Sequence, residues 1–184
     1  LAMAVVLYAS NDWDQRGWHF HALFQFQLMG INGAFLTGDL FNLFVFFEVL
    51  LIASYVLLLH GQGRQRFAAG IGYVVLNLLG SALFLVGAAL VYASAGTLNF
   101  ADLALRVPRL SGADAALLQV GAGVLLVVFG FKAALLPLGL WLPATYAAAC
   151  APVAALFSIM TKVGVVAILR VHGVILGPGA GESA

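Results

Sequence analysis

The stretch LFNLFVFFEVLLIASYVLLL, residues 40–59, decides the fold class of this chain. It holds twenty residues, and all of them are apolar except Asn42, Glu48 and Ser54. A helix that crosses a bilayer needs about 20 consecutive, mostly apolar residues. The stretch therefore predicts a transmembrane helix. Glu48 lies nine residues into it, roughly 14 Å at 1.5 Å per residue, which is about half the thickness of the hydrocarbon layer.

The composition of the whole chain agrees with a membrane protein. Hydrophobic residues make up 64% of the 184 residues and charged residues only 8%, whereas soluble domains carry about a quarter charged residues. The net charge of +1 gives no reason to expect nucleic acid as a partner. The single cysteine, Cys150, permits no internal disulfide and no Cys-built metal or iron–sulfur site, so we expect neither a metal nor a cofactor. Leu1 begins inside an apolar run without a basic segment, so we expect a fragment without a signal peptide.

Polar interruptions divide the chain into segments. The predicted fold is all-α, a polytopic membrane helix bundle of about five full transmembrane helices plus the end of a preceding one. Loops are expected at 60–66 and 144–151, with a longer connector at 96–113, and Asp39 is a candidate N-cap for the second span. The expected segments are the end of a helix at 1–10, a loop at 11–18, spans at about 19–36, 40–59, 69–94, 115–142 and 152–172, and a loop or truncated tail at 173–184.

Three charged residues lie at membrane depth and are candidates for function. Of the fifteen charged side chains, twelve fall in loops, at span ends or in the tail, and the exceptions are Glu48, Lys132 and Lys162. These two lysines are the only ones in the chain. Each such charge costs at least ~2.5–3.5 kcal/mol on insertion scales. A structural ion pair between helices is one explanation. A path for protons or ions is the interpretation we favour.

Polar residues repeat along two of the predicted spans. Tyr73, Asn77 and Ser81 recur every four residues, and Ser158 and Thr161 precede Lys162 on one helix face. Such stripes could line a hydrated route through a bundle, although interhelical hydrogen bonding would also account for them.

Pro137 lies five residues after Lys132 within one hydrophobic stretch. Because proline lacks a backbone donor and its ring clashes with the preceding turn, we expect the helix to break just after the lysine. A passive kink is the alternative. Broken helices beside ion sites recur in secondary transporters.

Two long runs carry a family resemblance. They are TGDLFNLFVFFEVLLIASYVLLLHG, residues 37–61, and FGFKAALLPLGLWLPATYAAACAPVAALFSIMTKVGVVAILRVH, residues 129–172. They resemble the D subunit of the multisubunit cation/proton antiporters of the Mrp (also Mnh or Pha) type, which is similar to the antiporter-like proton-pumping subunits of respiratory complex I. Residues 19–172 would then correspond to the first of two inverted five-helix repeats, each forming a proton half-channel with a broken helix.

The resemblance also implies roles for the three charges. Glu48 matches a glutamate that pairs with a lysine on the broken helix, Lys132 matches that lysine, and Lys162 matches a relay lysine on the next helix. Many relatives have His where this chain has Gly139 and Asp where it has Ala144, which puts a relay through either position in doubt.

The implied function is proton-coupled efflux of Na⁺ or K⁺ for pH and salt homeostasis, in a bacterial inner membrane and together with other subunits of the same antiporter complex. The chain itself is then a transporter subunit rather than an enzyme. A proton-translocating subunit of a complex I-like oxidoreductase or hydrogenase is one alternative, and a structural membrane subunit without a transport path is another.

Overall fold

The computed structural model describes residues 1–17, 19–61 and 63–175, and these residues form a bundle of α-helices joined by short connectors. The expectations for Trp18 and for the tail from residue 176 lie outside the described residues. The α-helices are α1 (Ala2–Ala9), α2 (Phe20–Leu36), α3 (Leu40–Leu58), α4 (Arg64–Ala95), α5 (Phe100–Arg106), α6 (Gly112–Lys132), α7 (Trp141–Ala148) and α8 (Ala151–Ile175).

Four of these helices are long and apolar enough to cross a membrane, and they lie at Leu40–Leu58, Arg66–Ala95, Gly112–Lys132 and Ala151–Val174. The all-α membrane bundle predicted from the sequence is thereby confirmed. The first expected span, 19–36, forms the 17-residue helix α2, about 25 Å long at 1.5 Å per residue. Because this is shorter than the ~30 Å hydrocarbon layer, the count of five full spans stays a prediction.

Glycines allow the helices to approach each other at backbone distance. A Cβ atom added at Gly30 of α2 would lie 2.6 Å from the backbone N of Leu50 on α3. On α4 and α6, Gly87 and Gly121 face each other, and a Cβ at Gly121 would lie 3.2 Å from the carbonyl oxygen of Gly87. Small residues at helix contacts are typical of membrane bundles, where close packing replaces the hydrophobic effect as the main source of association.

Two capped turns lie side by side at one end of the bundle. Asp39 caps α3, because its Oδ1 accepts from the backbone N–H groups of Phe41 at 2.8 Å and Asn42 at 3.0 Å, as the sequence predicted. Asn99 caps α5 in the same way. A backbone bridge pairs Asp39 with Asn99. This bridge fixes the start of α3 relative to the connector between α4 and α6.

The helix break is the feature that positions the candidate site. The helix α6 ends at Lys132, and Ala134 adopts the left-handed backbone conformation with φ 54°. A short 3-10 turn, Leu138–Leu140, then leads into α7. The break predicted near Pro137, just after Lys132, is confirmed.

Two expected loops are shorter than predicted. The prediction of a loop at 144–151 is wrong for most of that range. The helix α7 continues to Ala148, and only Ala149 and Cys150 separate it from α8. Pro143 had suggested a helix end, but it lies in the first turn of α7, where a missing backbone donor is tolerated. The predicted end of the loop at 60–66 is also wrong, since α4 begins at Arg64.

Candidate functional site

Lys132 is the last residue of α6 and is buried in the centre of the bundle. Its side chain is 5% exposed, and its Nζ has no hydrogen-bond partner among the described residues. The Nζ atom lies 5.0 Å from the centroid of the Phe47 ring on α3. A cation over an aromatic face is weakly stabilised, but this contact does not replace the hydrogen bonds that a buried ammonium loses.

A small cavity of about 10 Å³ adjoins Lys132. It is lined by residues of α3, α4, α6, α7 and α8, namely Phe47, Leu50, Leu51, Asn77, Lys132, Trp141 and Met160. A space of about 10–15 Å³ is what one water molecule needs, provided that polar groups are present to bind it. Asn77 and Lys132 supply such groups. The cavity is therefore large enough for a single water between a lysine and an amide.

Glu48 is half-buried on α3 and accepts a hydrogen bond from Ser81 Oγ on α4. The implied contact pair of Glu48 with Lys132 is not formed in this structure. Within residues 1–17, 19–61 and 63–175, the ion pairs closer than 4.0 Å are Arg16–Asp12, His21–Asp14 and Arg106–Asp102. Glu48 nevertheless directly follows Phe47, whose ring centroid lies 5.0 Å from Lys132 Nζ. The structure thus brings the acid and the lysine into one region, with Ser81 as the direct partner of the acid.

The predicted polar stripe of α4 faces the interior, since Tyr73, Asn77 and Ser81 are all buried. Ser81 bonds Glu48, and Asn77 shares the cavity with Lys132. The hydroxyl of Tyr73 lies 2.9 Å from Ser54 Oγ on α3. The stripe therefore connects Glu48, the cavity and Ser54 along one side of α4. Ser54 was not singled out from the sequence, although it is one of three polar residues in its span.

Lys162 lies in a different environment from Lys132. It is exposed on the outer surface of α8, and its Nζ donates to Thr161 Oγ1 at 3.3 Å. The hydroxyls of Ser158 and Thr161 donate to carbonyl oxygens of their own helix. The stripe of α8 therefore does not meet the cavity beside Lys132. A charged group exposed halfway along an apolar helix needs a polar partner or water from outside these residues.

Two residues that sequence reasoning missed hold the break in place. A Cβ atom added at Gly164 of α8 would lie 2.5 Å from the backbone N of Ala133, so α8 contacts the broken end of α6 at backbone distance. The indole N–H of Trp141 donates to the carbonyl oxygen of Phe131 at 3.1 Å. A tryptophan in the middle of a hydrophobic stretch, rather than near headgroups, was the available signal.

Gly139 and Ala144, the two positions that depart from the family pattern, can be located in the structure. A Cβ atom at Gly139 would lie 2.3 Å from the carbonyl oxygen of Ala134, so this backbone has no room for a histidine there. Ala144 is exposed on α7. In this chain neither position supplies a titratable group beside the cavity.

Comparison with known proteins identifies the family. Residues 37–182 match the family model described as NADH:quinone oxidoreductase/Mrp antiporter, transmembrane. The chain belongs to this family.

A curated relative agrees with this assignment. The chain is 52% identical to the D subunit of a probable K⁺/H⁺ antiporter of Rhizobium meliloti over 100% of its own length, but this covers 34% of that protein. It therefore spans about a third of the length of this curated relative.

Solved structures extend the likeness to the fold. A chain in the structure of the Mrp complex from Dietzia sp. DQ12-45-1b superposes with a TM-score of 0.85 at 34% identity, over 95% of this chain and 33% of that one. A chain of the membrane-bound sulfane sulfur reductase, an archaeal respiratory membrane complex, superposes with a TM-score of 0.79 at 36% identity, over 86% of this chain and 32% of that one. The same helix arrangement thus occurs in antiporter and in respiratory complexes.

Proposed function

We propose that this chain forms a proton half-channel in the D subunit of a multisubunit Na⁺ or K⁺/proton antiporter of a bacterial inner membrane. Other subunits of the same complex and the lipid bilayer are its partners. The observation that supports this most strongly is Lys132, a buried ammonium without a hydrogen-bond partner among the described residues, placed at a helix break beside a water-sized cavity.

The geometry around Lys132 suits a group that gains and loses a proton. An ammonium in an apolar setting is expensive, so small changes in nearby charge alter how readily it keeps its proton. Glu48 favours the protonated form of Lys132, and protonation of Glu48 removes that support. One water in the cavity, oriented by a hydrogen bond to Asn77, would accept the released proton first.

Ser81 extends this coupling to Glu48. Its hydroxyl donates to the carboxylate. When Glu48 takes up a proton, the hydroxyl of Ser81 can rotate and accept instead, because a serine is both donor and acceptor. The acid, the serine and the lysine thus form a route in which charge on one group changes the proton affinity of the next.

Lys162 would be the next group to carry the proton, at the boundary of this half-channel. Its exposed position on α8 suits a proton path that leaves the described bundle at this point. A proton that leaves Lys132 would reach Lys162 through water or polar groups that lie between the cavity and the surface of α8. Inward proton flow along the whole path would drive the cation outward.

The test is antiport in inverted membrane vesicles that contain the whole complex. Glu48→Ala should abolish cation/proton antiport while the complex assembles at its normal level, because Lys132 loses the charge that holds its proton. Asp114→Ala removes one exposed acidic group from the start of α6 and should leave antiport unchanged. Full activity of a normally assembled Glu48→Ala complex would contradict the proposal.

A respiratory role is the second candidate, supported by the likeness to the sulfane sulfur reductase complex. In that setting the same proton route would be driven by a redox reaction in partner subunits, and the complex as a whole would be a translocase. Growth and substrate oxidation of cells that lack the protein separate the two roles. Loss of the antiporter should make cells sensitive to NaCl and high pH, whereas loss of a respiratory pump should lower substrate oxidation.

A further inference from the structure

Gln27 of α2 lies outside the site described above and has an unusual environment. Its side chain is fully buried, at 0% exposure. Neither its Nε2 nor its Oε1 has a hydrogen-bond partner within the described part of the chain. A primary amide can donate two hydrogen bonds and accept two, and a buried polar group without partners destabilises the fold. A small polar ligand at this position would supply the missing hydrogen bonds.

The contacts between α2 and α3 place Gln27 at the level of Ser54. Gly33 contacts Phe46 and Gly30 contacts Leu50, so the two helices run antiparallel. One further turn brings Gln27 to the level of Ser54. The hydroxyl of Ser54 lies 2.9 Å from that of Tyr73, which begins the polar stripe of α4.

The contacts between α2 and α8 place Gln27 at about the level of Thr161. Arg170 donates to the carbonyl oxygen of Thr37 at 2.7 Å, and α2 contacts α8. Both helices run towards this contact, since α2 ends at Leu36 and α8 ends at Ile175. Gln27 lies ten residues before Thr37, and Met160 lies ten residues before Arg170. Gln27 thus stands at the depth where the hydroxyl groups of α3 and α8 occur.

We propose that Gln27 binds an internal water molecule that links the Ser54–Tyr73 hydroxyl pair towards α8. Water fits this role because it donates and accepts at once and can satisfy both ends of a buried amide. Gln27 is then a positioning residue. It holds a water between the polar stripe of α4 and α8, the helix that carries Lys162. This inference rests on the proposed proton route.

The test compares two glutamines on the same helix in the assembled complex. Gln27→Leu removes the amide at similar volume, and we expect antiport in inverted vesicles to fall by about tenfold or more. Gln25 is exposed, and Gln25→Leu should leave antiport within about twofold. Gln27→Glu should retain more activity than Gln27→Leu and should move the pH of half-maximal antiport. Gln25→Glu should not move it.

A second measurement covers the case in which Gln27→Leu does not assemble. A structure of the unaltered complex at a resolution that shows waters should place one at about 3 Å from the Gln27 amide. The proposal is overturned if both amide atoms bond protein groups without water, or if an assembled Gln27→Leu complex transports like the unaltered one. The proposed function would survive either result as long as Glu48→Ala abolishes antiport, and it would fail by itself if Glu48→Ala transported normally.

Discussion

The two lysines of this chain have opposite environments. Lys132 is buried among five helices, has no hydrogen-bond partner among the described residues, and lies against the ring of Phe47, the neighbour of Glu48. Lys162 lies at a similar level in the bundle, two residues before the Gly164 that contacts Ala133, but it is exposed and bonds only its neighbour Thr161 among those residues. The difference teaches that depth along a helix and burial in a bundle are separate properties. Lys132 is enclosed by the bundle, whereas Lys162 lies on its surface.

The largest effect should come from removing the buried ammonium. Lys132→Met keeps the length of the side chain and removes its charge, so we expect antiport to fall by about 100-fold or more. The complex should be as heat-stable as before or more so, because an unpaired buried charge is removed. Transport in inverted vesicles and the thermal midpoint of the purified complex measure the two effects.

Lys162→Met and Arg109→Met serve as controls for this change. Lys162→Met should not raise the thermal midpoint, since its ammonium is already exposed. Arg109→Met removes an equal charge from the exposed connector and should leave transport unchanged. An increase in thermal stability in Lys162→Met but not in Lys132→Met would contradict the assignment of Lys132 as the buried, unpaired charge.

The next effect concerns the contact that joins the helices of the two lysines. Gly164→Ala should push α8 away from Ala133, where the added Cβ would lie 2.5 Å from a backbone atom, and lower the stability by about 1–3 kcal/mol. Antiport should fall because the break after Lys132 moves. The thermal midpoint and vesicle transport should decrease together.

The matched control is Gly173→Ala on the same helix, because a Cβ atom there meets no described atom within 4 Å. We expect no loss of stability or transport in this variant. An equal loss in the two variants would show that the contact with Ala133 does not explain it, since helix propensity by itself favours alanine over glycine.

A smaller effect should follow from removing the partner of Glu48. Ser81→Ala deletes a hydrogen bond to the carboxylate, so we expect antiport to fall by about tenfold and its pH dependence to change. Ser94 lies on the same helix and is also buried, but its hydroxyl donates to the carbonyl oxygen of Val91 at 3.0 Å. Ser94→Ala should therefore keep both the rate and the pH profile, and a pH change in Ser94→Ala alone would refute this assignment.

The smallest effect should occur at the far end of the bundle. Asp39→Ala removes the N-cap of α3 and should lower stability by about 1 kcal/mol, with transport retained once the complex is assembled. Chemical denaturation or thermal inactivation of the complex measures this change. A complete loss of antiport in an intact Asp39→Ala complex would show that this charge belongs to the route.

Much of the bundle could be predicted because hydropathy and helix breakers act locally. Residues 40–59 are apolar for the length of a span, and Pro137 follows Lys132 closely enough to place the break. Tyr73, Asn77 and Ser81 share a helix face by their spacing alone. The α7 helix was missed since Pro143 can begin a helix as well as end one.

The partners across helices could not be predicted in the same way. The spacing of Glu48 does not say that Ser81, rather than Lys132, is its direct contact, because this depends on how α3 and α4 pack. Burial of Lys132 and exposure of Lys162 likewise follow from which faces of α6 and α8 meet. Gly164 carries no chemical signal in the sequence, and only its closeness to Ala133 reveals its role.

The central claim is that Lys132 acts by exchanging a proton and is not merely a fixed positive charge. Antiport by a Lys132→Arg complex tests it most directly, since an arginine keeps the charge but does not release its proton near neutral pH. In a complex assembled at the normal level, we expect antiport to fall by about tenfold or more. Antiport at the rate of the unaltered complex would contradict the claim, because a permanent cation would then be sufficient at this position.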